Sequence, residues 1–413
     1  MSALLLAFLQ GGFDPDVKPL PMAASAPMTA APLLLWSRPL PGPPPASASR
    51  SEPAPPVVRE GKIYVGYSGV SALLILARGD GTLLRSLPTY GPVAAAPVFA
   101  DGKIYVADMA GYVSCFLEDS YEQLWSRHAG APILSSVVVD GDLLYVSTVD
   151  DIVYKLERRN GSTISLYTHR LDTNRAAKLS LYGAPSVTLA GNEVLAGFSD
   201  GMIVGIGKDD WAEHWSLPVG EGAWPDIIAP MLWTPDIMVA GGFSGPLLGL
   251  DTSNRMVRWR QDLGSASTMT LVGDQLYHGG TDGILRKIDL RTGDVAWEWQ
   301  ADIPGLSFNL NLTGQTTEPT ERVTSGTMGT PQLCPLGVLV SNSDGSLYLL
   351  NPDTGKLIWS LDPNVLLGGI LGKPAIDGSE IYALSNAGIL YAMRGRGAPA
   401  KQAETDPWVS PFR

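Results

Sequence analysis

Six residues of this sequence belong to the types that most often hold metals or carry out thiol chemistry: two cysteines and four histidines. A CxxC pair or adjacent cysteines would indicate redox or zinc chemistry. Instead, Cys115 in YVSCFL and Cys334 in PQLCPLG stand far apart among apolar residues. The histidines lack the spacing of metal ligands; they are His128, His169, His214 and His278. We therefore predict two buried thiols and no catalytic, cofactor-binding or metal-binding residues.

Charge and composition narrow the possible partners of the chain. Its 41 acidic residues outnumber 29 basic ones, and 45% of its residues are hydrophobic. A net charge of −12 repels nucleic-acid phosphates and anionic lipid head groups, so we expect no nucleic-acid partner. The apolar run SALLLAFL at 2–9 is shorter than the roughly 18 residues of a membrane span. We expect no membrane span and at most a weak export signal.

A short strand with a central large apolar residue recurs about every 40 residues and divides the chain into eight units. The central residues are Tyr64, Tyr105, Tyr145, Leu195, Val239, Tyr277, Leu339 and Tyr382. Six residues later, six units carry a glycine where a tight hairpin needs positive φ, and Asp151 takes this place in the third unit. The glycines are Gly111, Gly201, Gly245, Gly283, Gly345 and Gly388. Each unit therefore contains at least one tight hairpin.

Two further strands complete each unit. In six units the strand before the hairpin opens with a proline. The missing N–H of proline costs no hydrogen bond of the sheet at that position. These prolines are Pro56, Pro97, Pro185, Pro230, Pro331 and Pro374. The fourth strand carries a tryptophan whose regular spacing predicts packing between units rather than a ligand cage. These structural tryptophans are Trp36, Trp125, Trp215, Trp259, Trp297 and Trp359.

Four short strands in about 40 residues are typical of a β-propeller blade, and eight units predict an all-β, eight-bladed propeller. The eighth unit stops after its third strand. We predict that LLLWSRPL at 33–40 supplies its missing fourth strand and closes the ring. The propeller then spans 31–395, with a proline-rich connection at 41–55, a possible signal or disordered leader at 1–30 and a tail at 396–413.

The repeated DGxIYV, DGxLYxLD and TGKxxW patterns resemble those of pyrroloquinoline-quinone-type propellers. That superfamily includes two classes. One is the quinoprotein dehydrogenases, and a resemblance to these enzymes implies vicinal cysteines and a calcium site. The other is the BamB family of outer-membrane assembly factors, which are not enzymes. This sequence has no adjacent cysteines. The stretch KLSLYGAPSVTLAGNEVLAGFSDGMIVGI at 178–206 resembles the part of BamB in which an LSLRG loop binds the barrel-assembly protein BamA.

The BamB resemblance implies partner contacts at Leu179, Ser180 and Leu181, with Tyr182 in place of the family's arginine. On the next connection, Asp226 lies near the family's aspartates.

The lengths of the loops indicate which side of the propeller binds a partner, and the residues implied by the BamB resemblance lie in two of the longest loops. The longest segments between repeats, 171–184, 219–229 and 299–330, all join the fourth strand of one blade to the first strand of the next. Such connections emerge on one face, where binding residues concentrate. The apolar residues on this face suit a protein interface or, alternatively, a cap over the channel. With Asp226, the predicted contact residues are Leu179, Ser180, Leu181, Tyr182, Trp224, Ile227, Leu306 and Phe308.

Three functions remain open from the sequence. The first is a non-enzymatic scaffold of the bacterial cell envelope or periplasm that binds an envelope protein, with a barrel-assembly protein as one candidate. The second is a quinone-dependent oxidoreductase. The third is a propeller that binds a small ligand or glycan in its channel.

Overall fold

The chain folds into eight antiparallel four-stranded sheets arranged as the blades of a β-propeller. The computed structural model describes residues 31–42, 55–169, 185–301, 328–342, 344–370 and 372–395, and within these ranges the chain forms strands and turns but no helix. The predicted eight-bladed fold is confirmed. The predicted leader at 1–30 and tail at 396–413 lie outside the described residues.

The first four blades each follow the chain from the inner to the outer strand. Blade 1 consists of β2 (Val57–Arg59), β3 (Lys62–Gly66), β4 (Ala72–Ala77) and β5 (Leu83–Pro88). Blade 2 consists of β6 (Val98–Ala100), β7 (Lys103–Ala107), β8 (Tyr112–Leu117) and β9 (Gln123–His128). Blade 3 consists of β10 (Val138–Asp140), β11 (Leu143–Thr148), β12 (Ile152–Glu157) and β13 (Thr163–Thr168). Blade 4 consists of β14 (Thr188–Ala190), β15 (Glu193–Gly197), β16 (Met202–Gly207) and β17 (Glu213–Pro218).

Blades 5 to 7 have the same order, whereas blade 8 is assembled from both ends of the propeller. Blade 5 consists of β18 (Leu232–Trp233), β19 (Ile237–Gly241), β20 (Leu247–Asp251) and β21 (Val257–Gln261). Blade 6 consists of β22 (Thr270–Val272), β23 (Gln275–Gly279), β24 (Ile284–Asp289) and β25 (Val295–Gln300). Blade 7 consists of β26 (Gln332–Cys334), β27 (Gly337–Ser341), β28 (Leu347–Leu350) and β29 (Leu357–Leu361). Blade 8 consists of β30 (Ala375–Asp377), β31 (Glu380–Leu384), β32 (Ile389–Arg394) and β1 (Leu33–Pro39).

Strand β1 is the outer strand of blade 8, as the sequence predicted. It pairs antiparallel with β32, with Leu33 opposite Arg394 and Pro39 opposite Ile389. A register shift between Leu34 and Trp36 interrupts the ladder. The same shift occurs between the third and fourth strands of the other blades, for example between Cys115 and Phe116. The N-terminal strand therefore reproduces the geometry of a contiguous blade.

The core lies between neighbouring blades, because each sheet is covered on both faces. The second strands are consequently buried along almost their whole length, as in β27, where all five residues are buried. Along β3, alternate residues pack on opposite sides: Val65 packs in the cluster with blade 8, and Tyr64 packs in the cluster with blade 2. This two-sided burial explains why the anchor residues are surrounded by further apolar residues rather than alternating with polar ones.

The turn between the second and third strands has the predicted backbone conformation. The six predicted glycines have positive φ, including Gly201 at 89°. Asp151 holds the same place at 62°, a conformation that costs energy for a residue with a side chain. Its carboxylate accepts hydrogen bonds from the Ser199 backbone N–H at 3.0 Å and from the Ser199 hydroxyl. Those bonds to blade 4 stabilise the turn.

The prolines lie just before the inner strands rather than in their first positions. Pro331 directly precedes β26 and Pro374 directly precedes β30. Their carbonyl groups accept hydrogen bonds from the preceding blade: the Thr270 hydroxyl donates to Pro331 at 2.5 Å and the Gln332 amide donates to Pro374 at 2.7 Å. The segment before each strand therefore joins one blade to the next around the channel.

Four tryptophans of the outer strands pack against the third-to-fourth-strand turn of the next blade. A Cβ atom at Gly293 would lie 2.7 Å from the Trp259 ring, so only glycine fits beneath it. The pairs are Trp36 with Gly81, Trp125 with Gly161, Trp259 with Gly293 and Trp297 with Gly355. Trp215 instead donates to Glu193 in its own blade at 2.9 Å, and the Arg255 guanidinium of blade 5 lies 4.9 Å from its ring centroid.

Ion pairs join neighbouring blades at four junctions: between blades 8 and 1, 1 and 2, 2 and 3, and 3 and 4. They lie near the turns between the third and fourth strands. Each pair links such a turn to the first hairpin of the preceding blade. They are Arg78 with Asp377, Glu118 with Arg59, Arg158 with Asp101, and Lys208 with Asp140.

Cys115 is buried as predicted, whereas Cys334 is only partly buried. Both thiols are free, and burial raises the pKa of the Cys115 thiol to about 11. Across the described ranges, no helix is long and apolar enough to cross a membrane.

Candidate protein-binding face

One side of the ring carries the connections from the fourth strand of each blade to the first strand of the next; we call this side the connection face. In an antiparallel four-stranded blade, the turn between the second and third strands emerges on the same side. Backbone hydrogen bonds join the two kinds of segment, as from the Met109 N–H to the Pro92 carbonyl at 2.8 Å and from the Asn386 N–H to the Gly369 carbonyl at 3.0 Å. The described connections are therefore held in place by backbone contacts.

The connection at 219–230, between blades 4 and 5, folds back tightly on itself. A Cβ atom at Gly220 would lie 1.8 Å from the Pro225 carbonyl oxygen, so this close approach requires glycine. The Ser244 N–H donates to the Trp224 carbonyl and the Phe243 N–H donates to the Asp226 carbonyl, both at 2.8 Å. These bonds fix the connection on the second hairpin of blade 5.

Three predicted contact residues lie on this connection, and the structure gives them different environments. The Trp224 side chain is partly exposed. Ile227 and Asp226 are both fully buried. Ile227 fills the space above Gly197, where a Cβ atom would lie 2.4 Å from the isoleucine side chain. Ile227 and Asp226 are thus internal supports of the loop in this structure. A partner contact by these two residues stays a prediction.

The remaining predicted contact residues lie outside the described residues; they are Leu179, Ser180, Leu181, Tyr182, Leu306 and Phe308. The structure does describe the end of blade 3, from which the segment that contains Leu179 to Tyr182 begins. There His169 lies 2.8 Å from the Asp200 carboxylate, measured from Nε2, and stacks on the Phe198 ring at 4.2 Å between centroids. Residue 169 is therefore anchored to blade 4.

Exposed apolar side chains that the sequence analysis did not select also lie on the connection face. Between blades 7 and 8, Val365 and Leu367 are 64% and 61% exposed. Hydrogen bonds hold their backbone: the Val365 N–H donates to the Asp362 carbonyl at 2.9 Å and the Leu367 N–H donates to the Tyr391 hydroxyl at 3.0 Å. The sequence DPNVLLGGI could have indicated these exposed residues, because three consecutive large aliphatic residues follow a turn.

Tyr90, between blades 1 and 2, adds an aromatic surface to the same face. Its side chain is 55% exposed and stacks on Tyr112 with 3.9 Å between ring centroids. The buried carboxylate of Asp108 accepts a hydrogen bond from the Tyr90 backbone N–H at 3.0 Å. Both the ring and the backbone of Tyr90 are thus held in a fixed position.

A polar cleft of about 400 Å³ lies beside the 219–230 connection, between blades 4, 5 and 6. On one wall, the Arg260 guanidinium donates to both carboxylate oxygens of Glu221, at 3.0 and 3.1 Å, and to Asp262 at 3.1 Å. These hydrogen bonds hold the pKa of Glu221 below its usual value. On the other wall, the Asp282 carboxylate accepts a hydrogen bond at 2.6 Å from the largely buried Arg286. The charged groups of this cleft are mutually paired.

Among the described residues, no group of three or more histidine, cysteine, aspartate or glutamate side chains could hold a metal ion. Several connections of this face, at different places around the ring, carry exposed or partly exposed aromatic and aliphatic side chains on backbone fixed by hydrogen bonds. Such groups suit a protein contact, since apolar anchors provide most of the binding energy at protein interfaces.

Comparison with known proteins gives consistent matches over most of the chain. The family model described as outer membrane protein assembly factor BamB matches residues 75–298 and 233–405. The BamB of Burkholderia pseudomallei is 24% identical over 351 residues, which cover 83% of this chain and 84% of the relative. The BamB of Salmonella typhimurium is 20% identical and covers 72% of this chain and 83% of that protein.

Solved structures share the fold at lower identity. The crystal structure of BamB from Moraxella catarrhalis superposes with a TM-score of 0.67 at 16% identity, over 88% of this chain and all of that one. A quinohemoprotein alcohol dehydrogenase from Pseudomonas putida superposes with a TM-score of 0.63 at 12% identity, over 91% of this chain and 78% of that one. At these identities the two superpositions show the propeller fold alone.

Proposed function

The chain belongs to the family of the outer membrane protein assembly factor BamB, and from this premise we propose that it is a non-enzymatic scaffold in the bacterial cell envelope. In this proposal the propeller lies in the periplasm and supports assembly of an outer-membrane or envelope complex. Its partner is an envelope protein, for which a barrel-assembly protein is the first candidate.

The observation that carries the proposal is the set of exposed apolar side chains on the connection face. Val365 and Leu367 protrude from a hydrogen-bonded turn. Trp224 lies on a second rigid connection. A fixed backbone lowers the entropy lost when such side chains are buried against a partner. The connection face therefore offers preorganised apolar anchors, to which the sequence prediction adds Leu181 and Tyr182.

Crosslinking in the native envelope tests this proposal. A photo-crosslinking amino acid at position 224, 365 or 367 should capture the same envelope protein, identified by mass spectrometry. Trp224→Ala, Val365→Ser and Leu367→Ser should each reduce co-purification of that protein about tenfold or more, because truncation of an interface anchor costs roughly 2 kcal/mol of binding free energy. Leu181→Ala and Tyr182→Ala test the residues implied by the family resemblance in the same way.

Matched controls lie at exposed turns on the opposite side of the ring. Asp353→Ala and Glu122→Ala change exposed carboxylates there and should leave co-purification unchanged. If these controls abolished capture while the connection-face variants retained it at equal thermal stability, the binding face would be on the wrong side.

The non-enzymatic part of the proposal has a separate test. Reconstitution with pyrroloquinoline quinone and calcium, followed by a dye-reduction assay with alcohols and sugars, should give only background rates. Turnover that depends on the quinone would replace the scaffold proposal with that of an oxidoreductase.

A further inference from the structure

An apolar groove of about 290 Å³ lies at the junction that closes the ring, between blades 8 and 1. One wall is the end of β1 and the residues after it, Pro39, Leu40 and Pro41. The other wall belongs to blade 1, where it is lined by Leu76 and by Leu83, which is 45% exposed. Clefts that hold small ligands begin at about 300 Å³. This groove is therefore suited to one large side chain.

Contacts on both sides fix the walls of the groove. The Leu40 N–H donates to the Gly388 carbonyl at 2.8 Å, and the Leu40 side chain packs in one apolar cluster with Leu76. The Arg38 stem covers Gly81, where a Cβ atom would lie 2.5 Å from the Arg38 Cγ. The groove is thus formed before any segment binds in it.

The apolar wall of β1 is a consequence of closure by a strand from the N-terminus. In a contiguous blade such as blade 2, the strand register places residues 128–130 (HAG) where blade 8 has residues 39–41 (PLP). Two prolines and a leucine therefore replace small or polar residues at the closing junction.

The groove also carries a positive charge. Arg38 lines it, and its Nε donates to the Asp80 backbone carbonyl at 2.8 Å. The Asp80 carboxylate instead accepts hydrogen bonds from Thr82, at 2.9 Å from the N–H and 2.7 Å from the hydroxyl. Within the described ranges, the Arg38 guanidinium forms no ion pair. A segment with a carboxylate close to a large apolar side chain would therefore complement the groove.

The tail that follows blade 8 contains such a segment. In TDPWVSPF at 405–412, Asp406 lies two residues before Trp408, and Val409 and Phe412 extend the apolar part. The other tryptophans of the chain all lie in the described propeller. Trp408 is thus the large aromatic residue of the chain that the packing between blades does not use.

The tail begins close enough to reach the groove. It follows Gly395, the neighbour of Arg394, which lies opposite Leu33 in the ladder between β32 and β1. Arg38 is five residues further along β1, a distance of about 17 Å at roughly 3.3 Å per residue. The segment 396–405 spans up to about 33 Å when extended. This connection is therefore about twice as long as the distance that it must cover.

We propose that the chain's own tail binds in this groove, with the Trp408 side chain between its walls and the Asp406 carboxylate paired with Arg38. A buried tryptophan removes a large apolar area from water, whereas an exposed ion pair contributes little and mainly fixes the direction of the segment. The tail then joins the end of blade 8 to blade 1 and reinforces the closing junction. This inference concerns the chain alone and does not rest on the proposed function.

Photo-crosslinking in the full-length protein tests the contact directly. A photo-crosslinking amino acid at position 408 should form an intramolecular crosslink to residues 76–83, identified by mass spectrometry of the purified monomer. The yield should not depend on protein concentration. The absence of this crosslink would overturn the proposal, and so would a crosslink to a second copy of the chain, which would assign the groove to a neighbouring molecule.

Peptide binding measures the strength of the contact. The probe is a fluorescent peptide of residues 404–413, and the receptor is full-length Trp408→Ala, whose tail lacks the proposed anchor. Fluorescence anisotropy should show saturable binding to this variant. Binding to the wild type should be roughly tenfold weaker or more, because the tethered tail competes at an effective concentration of about 1 mM. The same peptide with alanine in place of its tryptophan should bind to neither protein.

Substitutions in the Trp408→Ala receptor separate the two contacts. Leu83→Lys should weaken peptide binding roughly tenfold or more, as expected for loss of a buried apolar contact. Arg38→Glu should weaken it about two- to fivefold, as expected for an exposed ion pair, and a peptide with Asp406→Arg should recover this loss. The matched control is Leu124→Lys in β9, at a leucine 43% exposed on another outer strand, which should bind the peptide as its parent does.

The substituted receptors should melt within a few degrees of their parent. No binding of the peptide to Trp408→Ala, equal binding to Trp408→Ala and the wild type, or an equal loss in Leu124→Lys would overturn the proposal. Co-purification of the envelope partner through the connection face should be unchanged in Trp408→Ala. The docking of the tail can therefore fail without the proposed function, and the converse also holds.

Discussion

Both junctions of blade 8 have apolar cores, but they differ near the outer strands. The junction that closes the ring, between blades 8 and 1, adds a network of ion pairs and hydrogen bonds there, whereas the outer-strand tryptophan between blades 7 and 8 is buried without a hydrogen-bond partner among the described residues. At the closing junction the Trp36 Nε1 donates to the Arg78 carbonyl at 3.2 Å. The Arg78 guanidinium donates to Glu380 at 2.9 Å and to the Tyr382 hydroxyl at 2.9 Å, and it pairs with Asp377 at 2.5 Å. The strand from the N-terminus is therefore fastened by directional bonds as well as by packing.

At the preceding junction Trp359 is 2% exposed, and its Nε1 has no hydrogen-bond partner within the described part of the chain. At two other junctions the tryptophan donates to the third-to-fourth-strand turn of the next blade: Trp259 to the Leu290 carbonyl at 2.8 Å and Trp297 to the Pro352 carbonyl at 3.1 Å. In blade 8 the fourth strand comes from the N-terminus, so no such turn joins β32 to β1. Closure by a distant strand thus removes this turn, and with it a possible acceptor, from the junction between blades 7 and 8. The turn alone does not ensure the bond, because the Nε1 of Trp125 also has no partner among the described residues although it lies over the turn of blade 3.

The largest effect should follow from removing the closing strand. Deletion of residues 1–40 removes β1, exposes β32 as an edge and eliminates the contacts of Trp36. We expect the melting temperature to fall by about 5 °C or more, since a loss of several kcal/mol shifts the melting of a large domain by this order. Deletion of residues 1–30 is the matched control, because it retains β1, and equal melting of the two truncations would contradict closure by this strand.

A single substitution tests the same junction more finely. Trp36→Ala removes a partly buried ring that covers Gly81, and we expect it to lower the free energy of unfolding by about 2 to 3 kcal/mol. Chemical denaturation with an unchanged slope would measure this loss. Arg38→Ala, at an exposed position in the same strand, should cost less than half as much, and an equal cost for both would show that packing of Trp36 is not decisive.

The fold was predictable from the sequence because its signals are local and repeat eight times. A glycine or Asp151 at a positive-φ turn and a tryptophan above a glycine such as Gly293 recur at a fixed spacing. The contact residues have no such periodicity. Whether Ile227 points into the junction or into solvent depends on the space above Gly197, which is distant in sequence, and loop length gave no reason to select Val365.

The acid sensitivity of the closing junction should depend on Glu380. Hydrogen bonds from Tyr382, Arg394 and Arg78 lower its pKa to about 2, against a value near 4.5 in the unfolded chain. The protonated form is thus favoured on unfolding, so the stabilisation is complete above pH 4.5 and is lost as the pH falls from 4.5 to 2. After allowance for solvent screening, we expect this contribution to be at most about 2 kcal/mol.

The measurement is the free energy of unfolding of Glu380→Gln and of the wild type between pH 7 and pH 2. The variant should be less stable at pH 7, and the difference should disappear toward pH 2. Glu122→Gln, at an exposed turn of blade 2, is the control and should parallel the wild type. A constant difference for Glu380→Gln across the range would show that its charge does not matter.

The junction between blades 5 and 6 offers a stabilising change. Its second strand carries His278 where the strands at the two compared junctions have Val65 and Ala383, and all three positions are buried. Neither ring nitrogen of His278 has a hydrogen-bond partner among the described residues. Burial lowers the pKa of His278 to about 4, with Arg286 adding to the effect. The neutral ring is therefore buried without compensation.

We expect His278→Val to raise the free energy of unfolding by about 1 kcal/mol at pH 7. Because the folded pKa lies below the unfolded value of 6.5, the wild type loses stability as the pH falls from 6.5 to 4, whereas the variant should not show this loss. Thermal unfolding at pH 7 and pH 4.5 measures both effects. A less stable variant at both values would indicate that His278 makes a compensating interaction.

The smallest effect comes from a matched pair of tryptophan substitutions that isolates the missing hydrogen bond. Trp259→Phe and Trp359→Phe make the same reduction in volume at buried positions, 6% and 2% exposed. Only the first removes a hydrogen bond, that to the Leu290 carbonyl, and leaves a buried acceptor without its donor. We expect Trp259→Phe to be more destabilising by about 1 kcal/mol, the usual value for one such bond. Denaturant unfolding of both variants gives this difference directly, and equal losses would mean that the indole N–H of Trp359 is satisfied and that the two junctions do not differ in this respect.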